Sequence, residues 1–172
     1  RLLQEMGIAA KAAANSLRKA STKQKNEGLL AMEAALYTHQ DAILTANAKD
    51  IAAAAANGLP TPMIERLTLN PQRIKGMADS FKEIAQLPDP VGYVEEMTKS
   101  ADGLTIGKQR VPLGVIGIIY ESRPNVTADA SALCFKSGNA VILRGGKEAL
   151  ESNKAIMTAL QDGLANAGFA KE

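Results

Sequence analysis

The sequence predicts an α/β fold in which a helical N-terminal half leads into a parallel βαβ unit. Two apolar runs carry the prediction. Gly114–Ile119 and Ala140–Leu143 are continuously hydrophobic, and each is followed directly by polar and glycine-rich residues. Neither run alternates apolar with polar positions, which fits strands of a parallel sheet covered on both faces. The about twenty residues between them are enough for a crossover with a short helix, Thr127–Lys136. A third observation is that the segments ahead of Pro88 repeat their apolar residues at helical rather than strand spacing.

In chain order, Leu3, Ile8, Ala12 and Leu17 fall on roughly one face of a first helix, Leu2–Lys19. Ser21-Thr22 offers an N-cap to a second, with Leu29, Leu30, Met32, Leu36 and Ile43 apolar and room for a break near His39-Gln40. Ala46–Ala56 is a strong helix former, closed by Asn57-Gly58. Thr61-Pro62 and Asn70-Pro71 both read as N-cap plus proline, opening helices Pro62–Leu67 and Pro71–Leu87. Pro88–Gly92 is a rigid, extended joint. Beyond it, Tyr93–Thr98 and Leu104–Arg110 read as strands around Ser100-Ala101-Asp102-Gly103, whose Asp-Gly is a hairpin signal. A last helix runs from about Glu148 to Ala167 through Ile156, Leu160 and Leu164, with Gly168 as its stop.

Composition narrows the function. The 172 residues suffice for one ordinary domain with a core. Twenty basic against eighteen acidic residues give +2, too balanced for a nucleic-acid footprint, and without Trp a base-stacking platform is disfavoured. The single cysteine excludes an intrachain disulfide and suits a reducing compartment. No apolar run reaches the length of a membrane span, and the N-terminus lacks a signal-peptide layout. The chain begins without Met and stops abruptly at Ala170-Lys171-Glu172, so an excerpt of a longer protein is expected.

In parallel sheets ligands collect at the carboxyl ends of the strands. Here those ends carry Tyr120–Asn125 and Arg144-Gly145-Gly146-Lys147. In the second, glycines allow close backbone approach, a helix start favours an anion, and two basic side chains converge, which together suit a phosphate. A plain glycine-bearing turn explains the same residues equally well. The Walker and G-x-G-x-x-G spacings are absent, and Gly114 and Gly117 are read as permitting close packing of a strand. An amide at Asn125 could donate to an oxygen that gains charge in a transition state. On spacing alone, a turn-shaping Asn with Thr127 as helix cap is favoured. Arg123 is either a clamp for a carboxylate or phosphate or a surface charge. Cys134 lies mid-helix in an apolar stretch without a neighbouring base and is read as buried and inert. His39 has no ligand-spaced partners, so no metal is expected. Glu95 and Glu96, adjacent on a strand, should face opposite sides and form no carboxylate pair.

The segments VPLGVIGIIYESRPNVT and KSGNAVILRGGKEA strongly resemble the gamma-glutamyl phosphate reductase (glutamate-5-semialdehyde dehydrogenase) family of proline biosynthesis, within the aldehyde dehydrogenase superfamily. Ile43–Asp50, Glu65-Arg66-Leu67 and Asp89–Gly92 match as well, so the resemblance covers nearly the whole chain. It implies a Rossmann-like cofactor segment at 111–172, a helical segment of the same domain at 1–87, an oligomerisation-type hairpin at 93–110, and a catalytic domain lying outside this sequence. It implies reduction of L-glutamyl 5-phosphate by NADPH to the semialdehyde and phosphate, in a cytoplasmic homo-oligomer, with no nucleic acid or membrane as partner. Asn125 takes the place of the superfamily's oxyanion asparagine, and Arg144 that of a lysine touching the adenosine ribose. Lys147 stands where NAD-preferring relatives often carry a glutamate. A base there attracts a 2′-phosphate where an acid would repel it. Gly145 and Gly146 replace a proline and a small residue, leaving room for the larger head group. The nucleophilic cysteine falls beyond this chain, so the piece alone is expected to be inactive. Two alternatives stay open: another oxidoreductase of the superfamily, or a non-catalytic nucleotide-binding module if the natural chain ends at Glu172.

Overall fold

The computed structural model describes residues 2–171. Helices α1 (Leu2–Leu17), α2 (Thr22–Thr38), α3 (Gln40–Ala56), α4 (Thr61–Leu67) and α5 (Pro71–Gln86) precede a hairpin of β1 (Val94–Lys99) and β2 (Thr105–Gln109). Then follow β3 (Val115–Ile119), α6 (Pro124–Lys136), β4 (Ala140–Arg144), one 3-10 turn at Lys147–Ala149, and α7 (Leu150–Asn166).

Local chemistry sets most boundaries. Ser21 and Gln24 form a reciprocal capping box at the start of α2. Asn70 accepts the Arg73 N–H at 2.8 Å and Pro71 opens α5. Thr61 does not cap α4, contrary to the reading from Thr61-Pro62: extended Pro60 holds the cap position and Thr61 is already helical. The break at His39 separates α2 from α3.

The core lies where α2, α5, α6 and α7 meet, and is filled by Leu29, Met32, Leu36, Ile74, Phe81 and Ile156. Close approach of α2 and α7 requires Gly163, since a Cβ there would sit 2.7 Å from Met32 Cα and 2.8 Å from the Ala31 carbonyl oxygen. Both are backbone atoms, so neither can swing aside. Alanine would gain about 1 kcal/mol of helix propensity over glycine. Overpacking costs about 1–3 kcal/mol and should win here. Gly163→Ala is therefore expected to lower the urea midpoint; an unchanged or raised midpoint would show that the two helices can separate freely.

β3 and β4 pair in parallel, in register from Val115↔Ala140 to Ile119↔Arg144, as the two apolar runs require. Their coverage departs from expectation. Burial alternates along β3, leaving Val115, Gly117 and Ile119 exposed, so within this chain the sheet is not enclosed on both faces. The glycines there do not serve close packing either: nothing lies within 4 Å of a Cβ built on Gly114 or Gly117. Gly114 instead adopts φ +113°, a conformation other residues resist, while its N–H donates to Asn139 Oδ1 at 2.8 Å.

β1 and β2 pair antiparallel around a turn with Gly103 at φ +82°. A bulge between Glu95 and Thr98, with Glu96 at φ +47°, breaks the alternation. Glu95 then pairs with Arg110, and Glu96 approaches Lys108 at 3.5 Å. These cations are two residues apart, so both glutamates reach one side rather than opposite sides. Each faces its own cation, and they form no acid pair.

Candidate functional site

The parallel register levels the two strand ends, and Tyr120 N–H extends the ladder by donating to the Arg144 carbonyl at 3.1 Å. The chain then leaves β3 through Glu121–Arg123 into α6, and leaves β4 through Gly145-Gly146 into the 3-10 turn and α7. Both stretches singled out from the sequence thus sit side by side on one sheet edge.

The two stretches differ in how finished they are. Arg144 and Lys147 are exposed on either side of the glycine pair, and among the described residues neither side chain makes a hydrogen bond or ion pair. Lys147 is close enough to help lower the neighbouring Glu148 carboxyl, and a basic couple of this kind suits an incoming phosphate. Lys147 belongs to the 3-10 turn, with Gly146 at its cap position. The space a side chain would take at the glycines is already filled from within. A Cβ at Gly145 would lie 2.4 Å from Asn153 Nδ2 and 3.0 Å from the Tyr120 ring; at Gly146 it would lie 2.3 Å from Ser122 Oγ and 2.9 Å from a Glu148 oxygen. The turn thus needs its glycines for its own packing, whatever room it leaves on the outer side.

Asn125 is not in a turn before the helix, and Thr127 is not the cap. α6 starts earlier, at Pro124, with Arg123 in the cap position, because proline is pre-set for the first helical residue. Asn125 therefore lies in the first turn, exposed, its amide Nδ2 a long 3.4 Å from Asp129 Oδ2. That contact leaves the amide free to turn toward a better acceptor. Arg123 is exposed, without a side-chain partner among the described residues.

Behind this edge lie polar residues that sequence patterning passed over. Thr127 is fully buried; its hydroxyl donates to Asn153 Oδ1 at 2.9 Å and lies 2.6 Å from the Tyr120 hydroxyl. With the single Thr127 proton so used, Tyr120 is the donor to Thr127. Burial pushes the Tyr120 phenol up, outweighing the Thr127 contact that pulls it down, so it stays protonated. Ser122 donates to Glu148 at 2.6 Å, and this hydroxyl more than any other group holds the Glu148 carboxyl below its usual range. Asp50 reaches from α3 to cap α7, taking the Ser152 N–H at 2.7 Å, the Ser152 hydroxyl at 2.6 Å and the Glu151 N–H at 3.2 Å. Polar residues such as Thr127 and Asn153 on helices that otherwise read as apolar are the signal that could have marked them.

Cys134 is 6% exposed and its thiol is pushed up by burial, in keeping with an inert role. His39 Nε2 lies 3.4 Å from Asp162 Oδ2, and among the described residues no three potential ligands gather around a metal position. A cavity of about 410 Å³, lined mostly by apolar residues, lies between α1, β4 and α7 rather than at the strand ends.

Helices leading into a parallel pair whose carboxyl ends carry a basic glycine turn define an aldehyde dehydrogenase-like architecture. A propionaldehyde dehydrogenase from Clostridium phytofermentans shares the fold with TM-score 0.62 over 93% of this chain and 33% of that one, at only 14% identity. Within that architecture the chain matches the N-terminal part of gamma-glutamyl phosphate reductases. It is 56% identical over 169 residues to the reductase of Listeria innocua, covering 98% of this chain and 41% of that protein. The crystal structure of the Thermotoga maritima reductase superimposes with TM-score 0.95 at 40% identity, covering 98% of this chain and 41% of that one. The chain thus spans about two fifths, 41%, of the length of these relatives. No family model matches it.

Proposed function

We propose that this chain is the cofactor-side segment of a gamma-glutamyl phosphate reductase, an oxidoreductase that converts L-glutamyl 5-phosphate to L-glutamate 5-semialdehyde and phosphate with NADPH. The observation carrying this reading is the 56% identity to a named reductase across 98% of the chain, a span that includes both strand-end motifs. In this reading residues 1–87 and 111–172 belong to the cofactor domain, and the relatives' remaining length supplies the catalytic domain with its nucleophile. Arg144 and Lys147 hold the adenosine-side phosphate, with Gly145 and Gly146 beneath it. NADPH, when bound, supplies the hydride. Asn125 turns its amide from Asp129 to the oxygen that becomes negative as the acyl carbon is attacked, and a fixed donor there lowers the barrier. Arg123, beside it, holds a charged end of the substrate. The hairpin 93–110, whose Tyr93, Met97, Leu104 and Ile106 are all exposed, meets a second copy. No described helix is long and apolar enough to cross a membrane, and a cytoplasmic setting is part of the proposal.

Fluorescence titration at low salt tests the cofactor claim. NADPH is expected to bind more tightly than NADH, and Lys147→Glu to reverse the order. Losing one charge-assisted contact and gaining a repulsion should weaken NADPH by about tenfold to a hundredfold. A folded chain with no preference, or a preference that Lys147→Glu leaves intact, would remove Lys147 from the site.

A further inference from the structure

Four parts of the chain meet at one point behind the strand ends: the last residue of the β3 ladder, the first turn of α6, the first turn of α7, and the Gly145 turn. Tyr120, Thr127 and Asn153 form the joint. The Tyr120 hydroxyl donates to Thr127 Oγ1 at 2.6 Å, and that hydroxyl donates onward to Asn153 Oδ1 at 2.9 Å. Thr127 is completely buried, so its hydroxyl has no water to turn to, while Tyr120 and Asn153 are half-buried. The other end of the Asn153 amide, Nδ2, lies 2.4 Å from where a Gly145 Cβ would be, and the Tyr120 ring lies 3.0 Å from the same point. Asn153 and Tyr120 are thus the floor of the glycine turn, and the Thr127 hydroxyl holds both in place.

We propose that Tyr120, Thr127 and Asn153 act as positioning residues for the cofactor turn, fixing Arg144 and Lys147 at the separation a nucleotide phosphate needs. The proposal rests on the cofactor reading above. The three residues act through the turn, bearing on Gly145 beside Arg144, while Ser122 and Glu148 bear on Gly146. Glycine is the residue least able to hold a turn by its own torsional preferences. A site on such a turn borrows its rigidity from the groups packed beneath it. The same hydroxyl chain ties the first turn of α6, which carries Asn125, to the start of α7, which follows Lys147. The oxyanion donor and the cofactor turn therefore share one anchor.

The test is NADPH titration of the folded chain, run well below each variant's melting temperature, on wild type, Tyr120→Phe, Thr127→Val, Thr127→Ser and Gly163→Ala. Tyr120→Phe and Thr127→Val each remove one hydroxyl while keeping shape, and are expected to raise the NADPH Kd about tenfold. Thr127→Ser keeps the hydroxyl and should retain wild-type affinity. Gly163→Ala destabilises the fold far from the turn and should lower Tm without moving Kd, which separates positioning from general loss of stability. Unchanged Kd in Tyr120→Phe and Thr127→Val, against a wild type that binds, overturns the positioning role alone. If Thr127→Val does not fold, Tyr120→Phe, whose side chain is half-buried, decides the question. A folded wild type that binds neither NADPH nor NADH overturns the cofactor reading and this proposal together.

Discussion

Lys25→Met is expected to lower the unfolding free energy by about 3–5 kcal/mol at neutral pH, measured by urea denaturation. The Lys25 side chain is 2% exposed, and its ammonium lies 2.6 Å from Asp89 Oδ2 and 2.7 Å from Oδ1. It also donates to the Lys136 carbonyl at 3.1 Å. Asp89 in turn accepts the Thr22 hydroxyl at 2.7 Å and the Val91 N–H at 3.0 Å. One ion pair thereby ties α2, the end of α6 and the Pro88–Gly92 joint. Methionine fills nearly the same volume, so little of the loss comes from a cavity. Most of it comes from stranding the Asp89 charge in a poorly hydrated place. A loss below about 1 kcal/mol would mean the pair behaves like a solvent-exposed one.

The pH dependence checks the cause. Burial alone pushes the Asp89 carboxyl up, but the Lys25, Thr22 and Val91 contacts together hold it below its ordinary value. A carboxyl depressed in the folded state adds stability that is full above its unfolded pKa of about 3.9 and is lost as pH falls through the folded value. Lys25 is the strongest of the lowering contacts, so without it the folded pKa of Asp89 should rise. The advantage of wild type over Lys25→Met should therefore be largest at neutral pH and shrink as pH falls through the carboxylate range. Parallel pH profiles for the two proteins would refute the assignment. In a double-mutant cycle, adding Asp89→Asn should recover part of the loss, because no unpaired charge remains.

Asp50→Ala is the second large effect, about 2–4 kcal/mol of destabilisation. The alanine leaves the Ser152 N–H, fully buried, without its acceptor, and removes the anion facing the N-terminus of α7. Asn47 cannot substitute. Its Oδ1 already accepts the Leu69 N–H at 2.7 Å, while its Nδ2 serves the Leu67 carbonyl and the Ser152 hydroxyl. Asp50→Asn should cost less, since it keeps acceptor capacity but loses the charge. Amide exchange at Glu151 and Ser152 should accelerate more than exchange across α2, because the opening starts at the cap. Equal acceleration throughout would point to global unfolding instead. α7 begins immediately after the basic turn, so this cap also supports the start of the site from beneath.

Much of the architecture was legible because its causes are local. The Ser21 cap, the Asn70-Pro71 start, the Asn57-Gly58 and Gly168 stops and the Asp102-Gly103 turn each act within a few residues. The two apolar runs announced a parallel pair, and the sheet edge carrying Asn125, Arg123 and Arg144–Lys147 followed from where those runs end. The misreadings were of a different kind. Thr127 looks like a cap because it follows a proline and an asparagine, yet the helix had already begun at Pro124. Its hydroxyl looks inward, to a tyrosine and to an asparagine on another helix. What lies beneath Gly145 and Gly146 was not legible at all: Asn153 and Tyr120 pack under the first, Ser122 and Glu148 under the second.

By itself the sequence determined the succession of helices and strands, the parallel pairing and the edge on which basic residues gather. All of these follow from periodicity and from backbone preferences over one or two turns of chain. Tertiary structure alone decided what holds that edge in place. Lys25 bonds a carbonyl 111 positions away and Asp50 a hydroxyl 102 positions away. No local preference selects such partners: a buried charge or hydroxyl takes whichever complementary group the packed helices bring within reach, because leaving it unpaired costs more than most single contacts contribute.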